Sequence, residues 1–157
     1  AAAGQGHAQH MLGHIHETGE GGPIDYAKAL EWYRLAAANE VPNAQFRIGM
    51  MYAKGLIQGG GPPESWVWIR KSAEQGYPEA QYHLGLAHYY GRGARLDFAE
   101  AYSWLLLAEE NGLTEARDPF SELSGKISRP QREAGLRLAG KRRRPVPLMF
   151  KDRREPC

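Results

Sequence analysis

Four histidines cluster near the start of the sequence, where side chains of this type could bind a metal ion: His7, His10, His14 and His16. In a helix, His10 and His14 would share one face, a spacing at which imidazoles bind zinc or nickel. His16 precedes a glutamate, but the second histidine of an HExxH zinc-protease motif is missing. At a spacing of 36 residues, His10 also aligns with Phe46 and Tyr82, which indicates an aromatic structural position. We therefore predict that these histidines bind no metal.

Other residue patterns that would indicate catalysis do not occur. The sequence has no phosphate-binding P-loop, and the segment GRGARL at 91–96 fails the dinucleotide-binding fingerprint and follows a helical pattern rather than a strand. Its acidic pairs fall on helix positions that are expected to face solvent. We therefore predict no catalytic residues, no cofactor and no small-molecule substrate, and we expect that the protein is not an enzyme.

Charge is distributed unevenly along the chain. Residues 1–125 carry 9 basic and 15 acidic side chains, whereas residues 126–157 carry 11 basic and 3 acidic ones. A basic segment such as GKRRRPVPLMFKDRR favours nucleic acids or anionic surfaces. Only Phe150 is available there for stacking on bases, so we expect no nucleic-acid partner. The alternatives are a solvated tail and a contact between the tail and the acidic part of the chain.

The same residue pattern recurs every 36 positions without an insertion. An Ala-Gln pair begins each copy, and an interior glycine and a tryptophan follow at constant spacing. The glycines are Gly13, Gly49 and Gly85, and the tryptophans are Trp32, Trp68 and Trp104. Self-similarity at a period of about 20–50 residues is typical of solenoid proteins, which stack small helical or strand units into an array.

Each copy contains two helical patterns. We predict first helices near 5–18, 42–54 and 78–90, and second helices near 25–38, 62–75 and 97–110. Asp25 and Asp97 occur where helix N-caps belong, and prolines open the helix at 62. Ala8, Gly13 and their copies are small enough to let crossing helices approach within about 8–10 Å. We expect the recurring tryptophans to fill the space beside them. The pattern predicts an all-α solenoid.

Two long segments resemble Sel1-like repeats, which are relatives of the tetratricopeptide repeat. They are GPIDYAKALEWYRLAAANEVPNAQFRIGMMYAKG and AEQGYPEAQYHLGLAHYYGRGARLDFAEAYSWLLLAEENG. The segment ISRPQREAGLRLAGKRR at 127–143 resembles the closing helix that follows the last repeat in many bacterial members, with Ser128 as its N-cap. The resemblance implies a right-handed α/α solenoid of about three repeats plus a C-terminal capping helix.

This organisation implies the following division of the chain. The repeat array covers 1–125, with repeats near 4–39, 40–75 and 76–111 and the start of a degenerate fourth copy at 112–125. A capping helix covers 126–143, and a basic tail that we expect to be extended covers 144–157. No apolar run approaches the roughly 20 residues of a membrane span, so we predict no transmembrane segment.

The resemblance also implies where a partner would bind. In tetratricopeptide relatives the first helix of each pair lines the concave surface of the array. The predicted partner-binding residues on that surface are Phe46, Met50, Lys54, Glu79, Tyr82, Leu86, Tyr89, Tyr90, His10 and His14. Apolar residues on a helix face away from the core favour a binding surface, although burial by neighbouring repeats is an equal alternative for most of them.

The function implied by the resemblance is a non-catalytic scaffold or adaptor that binds another protein on its concave face. Some similar proteins act in envelope assembly, and some are periplasmic immunity proteins that neutralise a secreted bacterial toxin such as a phospholipase effector. A nucleic-acid or anionic-surface binder acting through the tail is the alternative from another class. The resemblance favours the bacterial periplasm over the cytoplasm, and the identity of the partner stays open.

Overall fold

The computed structural model describes residues 2–143, with side chains from residue 4 onward, and this part of the chain contains eight α-helices and no strand. The helices are α1 (Ala2–Thr18), α2 (Tyr26–Ala38), α3 (Pro42–Ala53), α4 (Pro62–Glu74), α5 (Pro78–Tyr90), α6 (Phe98–Glu110), α7 (Arg117–Lys126) and α8 (Arg129–Arg142). A short 3-10 turn, Thr114–Ala116, lies between α6 and α7. The helical spans predicted from the repeat agree with these bounds to within a few residues.

The helices form three hairpins that stack in chain order. The pairs α1–α2, α3–α4 and α5–α6 make the most extensive contacts, and α2–α3 and α4–α5 join one hairpin to the next. Helices α7 and α8 both pack on α6 and cover that end of the stack. This arrangement confirms the expected α/α solenoid with a closing helix.

Side-chain caps begin three of the helices where the sequence places them. Asp25 accepts a hydrogen bond from the Lys28 amide at 3.0 Å, and Asp97 accepts from the amides of Ala99 and Glu100. Ser128 caps α8 together with Gln131, whose side-chain oxygen accepts from the Ser128 amide at 2.9 Å. These bonds satisfy backbone donors that a helix start otherwise leaves unpaired.

The recurring glycine is required because a bulky residue of the second helix lies against its α-carbon. A Cβ atom on Gly13 would lie 2.6 Å from the Tyr33 ring, and one on Gly85 would lie 2.8 Å from Leu105. At Gly49 the same atom would meet both Ile69 and a backbone carbonyl oxygen, at 2.7 and 3.0 Å. At contacts this short, an added Cβ atom fits only if the neighbouring residue moves. Close packing therefore explains a residue that weakens an isolated helix.

The prediction that the tryptophans fill this space is wrong. The residues that occupy it follow the tryptophans by one position: Tyr33, Ile69 and Leu105, with 0, 2 and 0% exposure. Trp104 is buried, but Trp32 and Trp68 are only partly buried. One residue turns a helix by about 100°, so the tryptophans lie beside the crossing rather than in it.

The prediction that the first-helix alanine lies where helices cross also fails in the first repeat. Ala44 and Ala80 are fully buried, whereas Ala8 is exposed. Helices α2 and α4 pack on α3 and α5, but none of the described helices packs on the corresponding face of α1.

The closing helix is joined to α6 by one half-buried arginine. Arg142 pairs with Glu100 at 2.8 Å, donates to the Ser103 hydroxyl at 3.0 Å, and places its guanidinium 4.2 Å from the centre of the Trp104 ring. Arg143 makes a more exposed bidentate pair with Glu110. The cap is thus held to α6 by charge-assisted hydrogen bonds as well as by apolar contact.

Gly85→Ala should lower the free energy of unfolding by about 1–3 kcal/mol, because the added methyl group must displace Leu105 or separate α5 from α6. Gly140→Ala in α8 is the matched control, since nothing lies within 4 Å of the position where its Cβ would be. The control should be neutral or stabilising by up to about 1 kcal/mol through helix propensity. Urea unfolding of both variants tests this, and equal stabilities would contradict the close-packing explanation.

Candidate functional site

A pocket of about 280 Å³ opens between α3 and α5, and we call it the α3–α5 pocket. It is lined by Phe46, Arg47, Met50, Lys54, Glu79, Tyr82, His83, Leu113 and Glu115. Five of these residues belong to the predicted partner-binding set: Phe46, Met50, Lys54, Glu79 and Tyr82. The structure therefore brings half of the predicted set together in one cavity.

Four lining residues were not predicted from the sequence, although three of them could have been identified from the repeat alignment. Glu115 lies 36 residues after Glu79, so it is the same position in the fourth, incomplete copy. Arg47 and His83 are likewise equivalent to each other, one residue after the predicted aromatic positions. Leu113 comes from the turn after α6, and no periodic signal points to it as a binding residue.

The pocket combines apolar and charged side chains. Phe46, Met50, Tyr82 and Leu113 supply its apolar part, and the Phe46 and His83 ring centres lie 5.4 Å apart. Arg47 and Lys54 are balanced in number by the two glutamates of the lining. Such a surface, apolar with charges of both signs, fits a short amphipathic stretch of polypeptide better than a uniformly charged ligand.

Burial controls protonation within and beside the pocket. Burial lowers the pKa of His83, although the nearby Glu79 carboxylate acts in the opposite direction. Tyr77, whose ring centre lies 5.4 Å from that of Phe46, has its pKa raised mainly by burial and further by Glu79. Both rings therefore favour their neutral forms, which suits them to contact apolar groups.

The tyrosines at the far end of α5 lie in different surroundings. Tyr89 is partly covered by α7, and its hydroxyl donates to the Glu122 carboxylate at 2.8 Å and accepts from Lys126 at 3.3 Å. Leu86 is partly buried in the same cluster, whereas Tyr90 is 61% exposed. Of these three predicted residues, only Tyr90 presents most of its ring to solvent.

His10 and His14 lie on α1, outside the α3–α5 pocket, and both are partly buried. The His10 ring lies 5.5 Å from that of Tyr33, and neither of its nitrogens has a hydrogen-bond partner among the described residues. The Tyr33 hydroxyl donates to Glu17 at 2.6 Å, and Arg47 lies 3.8 Å from the same carboxylate. His10 thus fills an aromatic position beside a polar cluster.

Among the described residues, no three His, Cys, Asp or Glu side chains come close enough together to hold a metal ion. Burial lowers the pKa of His10, and the positive charge of Arg47 adds to this effect. The ring is consequently held neutral against Tyr33.

Lowering the pH is expected to destabilise the fold, because His10 and His83 are both held neutral in the folded state. Their folded pKa values lie below the ordinary value of 6.5, so below that pH the unfolded chain binds more protons than the folded one. The free energy of unfolding should therefore fall as the pH decreases from about 7 to about 5.5.

The double variant His10→Phe/His83→Phe should flatten this pH dependence in urea unfolding experiments. The single variants His10→Phe and His83→Phe should each remove part of the slope, since each takes away one of the two lowered pKa values. A slope that survives in the double variant would show that other groups cause it.

Stacked helical hairpins with a glycine at each crossing, closed by a further helix, define an α/α repeat protein. The family model of the Sel1 repeat matches residues 6–41, 42–77 and 78–113, which cover both helices of all three hairpins. The chain therefore belongs to the Sel1 repeat family, whose members typically serve as protein-interaction scaffolds.

Two solved structures are similar to this chain. A Sel1 repeat protein from Oxalobacter formigenes is 31% identical, with a TM-score of 0.67 over 76% of this chain and 90% of that one. A protective antigen of uropathogenic Escherichia coli strains, which has the SLR fold, is 24% identical, with a TM-score of 0.64. This chain covers 37% of the antigen's length, and that likeness shows the fold alone. No curated protein sequence matches significantly.

Two further predictions concern a membrane span and the basic tail. No helix within residues 2–143 combines the length and apolar character that crossing a bilayer would take. The basic tail at 144–157, with the nucleic-acid hypothesis attached to it, lies outside the described residues.

Proposed function

We propose that this protein is a non-catalytic scaffold that binds a protein partner through the α3–α5 pocket. The observation that carries the proposal is the meeting of Phe46, Met50 and Tyr82 with charged side chains in one open cavity. Family membership supports the general role, and the composition of the pocket supports a polypeptide as its ligand.

Two properties of the pocket favour a segment of protein over other ligands. Its volume of about 280 Å³ accepts one or two side chains but is smaller than most pockets for drug-sized molecules. Aromatic and methionine side chains are enriched at the centres of protein interfaces, with charged residues at the rim. We therefore assign Met50 and Tyr82 to contact with an apolar side chain of the partner, and Lys54 and Glu79 to its rim.

Site-specific photo-crosslinking tests this proposal. A photoreactive amino acid replaces Lys54 in the pocket or, as the matched control, the exposed Val67 on α4. In extracts of the source organism, the Lys54 variant should form a discrete crosslinked product that the Val67 variant does not form. The same product from a chain that lacks 144–157 would exclude the tail as the binding site.

Crosslinking only from Val67, or loss of the product when the tail is removed, would contradict the proposal. Identification of the crosslinked protein also tests the immunity hypothesis, which predicts that this protein is a secreted toxin. A structural or signalling protein in its place would support the adaptor role.

A further inference from the structure

Charged side chains line the α3–α5 pocket at the ends of three different elements. Lys54 directly follows the last residue of α3, whereas Glu79 is in the first turn of α5 and Glu115 is in the 3-10 turn after α6. The relative placement of these elements therefore decides how the charges are arranged along the pocket.

Two hydrogen bonds show that the two glutamates lie at the same end. Gln75, in the connection before α5, donates to Gln45 near the start of α3 at 2.7 Å. Asn111, directly after α6, donates to Gln81 near the start of α5 at 3.0 Å. The starts of α3 and α5 and the turn after α6 are thus neighbours, whereas Lys54 is at the opposite end of α3. The pocket is consequently acidic at one end and basic at the other.

These three charges are not paired within the described part of the chain. The ion pairs among residues 4–143 include none of Lys54, Glu79 and Glu115. Glu115 accepts a hydrogen bond from the neighbouring Thr114 hydroxyl, which leaves its charge in place. The Oε2 atom of Glu79 is buried and has no hydrogen-bond partner among those residues. Because a buried carboxylate oxygen ordinarily accepts a hydrogen bond, the acidic end lacks a donor.

Arg47, the remaining charged residue of the lining, is already opposed within the array. Its guanidinium lies 3.8 Å from the Glu17 carboxylate of α1, whose side chain is only 15% exposed and which also accepts from the Tyr33 hydroxyl. The charges left for a ligand are therefore positive at the end of α3 and negative at the start of α5.

The apolar part of the pocket separates its two charged ends. Phe46 and Lys54 both line the pocket and are eight residues apart on the chain, which is about 12 Å along a helix axis. Met50 lies midway between them, and Tyr82 lines the pocket from α5. An extended polypeptide rises about 3.3 Å per residue, so about four residues span the same distance.

We propose that the partner segment bound in the α3–α5 pocket carries an acidic and a basic residue about four positions apart, with an apolar residue between them. The acidic residue pairs with Lys54, and the basic residue pairs with Glu79 and Glu115. The apolar side chain contacts Met50 and Tyr82. A uniformly acidic or uniformly basic segment would meet a like charge at one end, which disfavours it. This inference rests on the proposed function of the pocket and specifies the chemistry of its partner.

Selection of phage-displayed peptides identifies the preferred segment without knowledge of the natural partner. Random 12-residue peptides are selected on the 157-residue protein, and those that also bind the double variant Met50→Ala/Tyr82→Ala are discarded. Circular dichroism establishes that this variant is folded. The remaining peptides depend on the pocket. An opposite-charge pair about three to five positions apart should be enriched among them over the unselected library.

An exchange of charges tests the pairing with Lys54 directly. One selected peptide is synthesised with a fluorophore, and fluorescence anisotropy measures its dissociation constant. Lys54→Glu should weaken binding by about three- to tenfold at low salt, because an attraction becomes a repulsion. Replacing the acidic residue of the peptide with lysine should restore affinity for Lys54→Glu and reduce it for the wild-type protein.

Two further variants complete this experiment. Glu115→Lys, measured with a peptide whose basic residue is replaced by glutamate, provides the reciprocal exchange at an exposed position. Arg137→Glu on α8 is the matched control, since it changes the net charge as Lys54→Glu does but is exposed and outside the pocket lining. It should change affinity by less than about twofold.

Pocket-dependent peptides without the charge pair, or equal affinities for the wild-type protein and Lys54→Glu, would overturn this inference and leave the pocket as a binding site. If none of the selected peptides depends on Met50 and Tyr82, the proposed function is contradicted as well. Pocket-dependent binding that appears only after 144–157 is removed would show that the chain's own tail fills the pocket, which would overturn the assignment to a partner.

Discussion

Trp104→Ala should lower the free energy of unfolding by about 3–5 kcal/mol, the range for emptying a buried aromatic site. Trp104 is 1% exposed and belongs to the core cluster between the second and third hairpins. Its removal also takes away the ring on which the Arg142 guanidinium lies. The arginine would then keep its pair with Glu100 but face a cavity.

The same substitution at the equivalent positions provides a graded control. Trp32 and Trp68 are only partly buried, so Trp32→Ala and Trp68→Ala should each be less destabilising than Trp104→Ala. Urea unfolding followed by circular dichroism measures all three. Equal losses at the three positions would mean that burial does not determine the contribution of this residue.

The loss of stability in Trp104→Ala should also extend to the neighbouring helices, because each repeat is stabilised only by the units on either side of it. Hydrogen exchange of Trp104→Ala should therefore increase in α5 and α8 more than in α1, which makes no contact with that cluster.

The sequence predicted the helices well because one pattern occurs three times. Each helix boundary is indicated at equivalent positions in more than one repeat. The N-caps Asp25 and Asp97, for example, begin equivalent helices. The interior glycine was also interpreted correctly, since only close packing explains a costly residue that recurs in phase with the core.

Which residue fills the crossing could not be read from the same pattern. Tryptophan is the most conspicuous residue of the second helix, whereas the residue after it varies between Tyr33, Ile69 and Leu105. Periodicity gives the spacing of a set of positions, but the direction of each side chain depends on how the two helices are rotated against each other. That rotation becomes visible only in the assembled structure.

End effects were missed for a similar reason. A repeat alignment assigns Ala8 the surroundings of Ala44, although burial of that position depends on a preceding helix rather than on the residue itself. The binding-site prediction was limited in the same way: Leu113 enters the α3–α5 pocket from a turn that has no periodic counterpart in a binding role.

Tyr82→Ala and Met50→Ala should each weaken binding of the crosslinked partner by about 1–3 kcal/mol, the usual cost of truncating a central interface residue. Both side chains line the α3–α5 pocket and are partly buried before any partner binds. A partner side chain that inserts there would therefore be largely shielded from water and would contact side chains that are already ordered. Because little binding free energy is spent on ordering the pocket, truncating Met50 or Tyr82 should cost more affinity.

Three variants separate the centre of this interface from its surroundings. Glu79→Ala should mainly reduce the association rate and its salt dependence, as expected of a rim charge. Tyr90→Ala should have a smaller effect than Tyr82→Ala, since Tyr90 is 61% exposed and is not part of the pocket lining. Val67→Ala, on the outer surface of α4, should leave affinity unchanged.

Isothermal titration calorimetry with the purified partner measures these affinities, and circular dichroism verifies that each variant is folded, because Tyr82 also packs against the core cluster beside α7. The double variant Met50→Ala/Tyr82→Ala should bind at least about a hundredfold more weakly if the two side chains contact the same group. A folded double variant with full affinity would place the partner elsewhere on the array, and the pocket would then have no part in recognition.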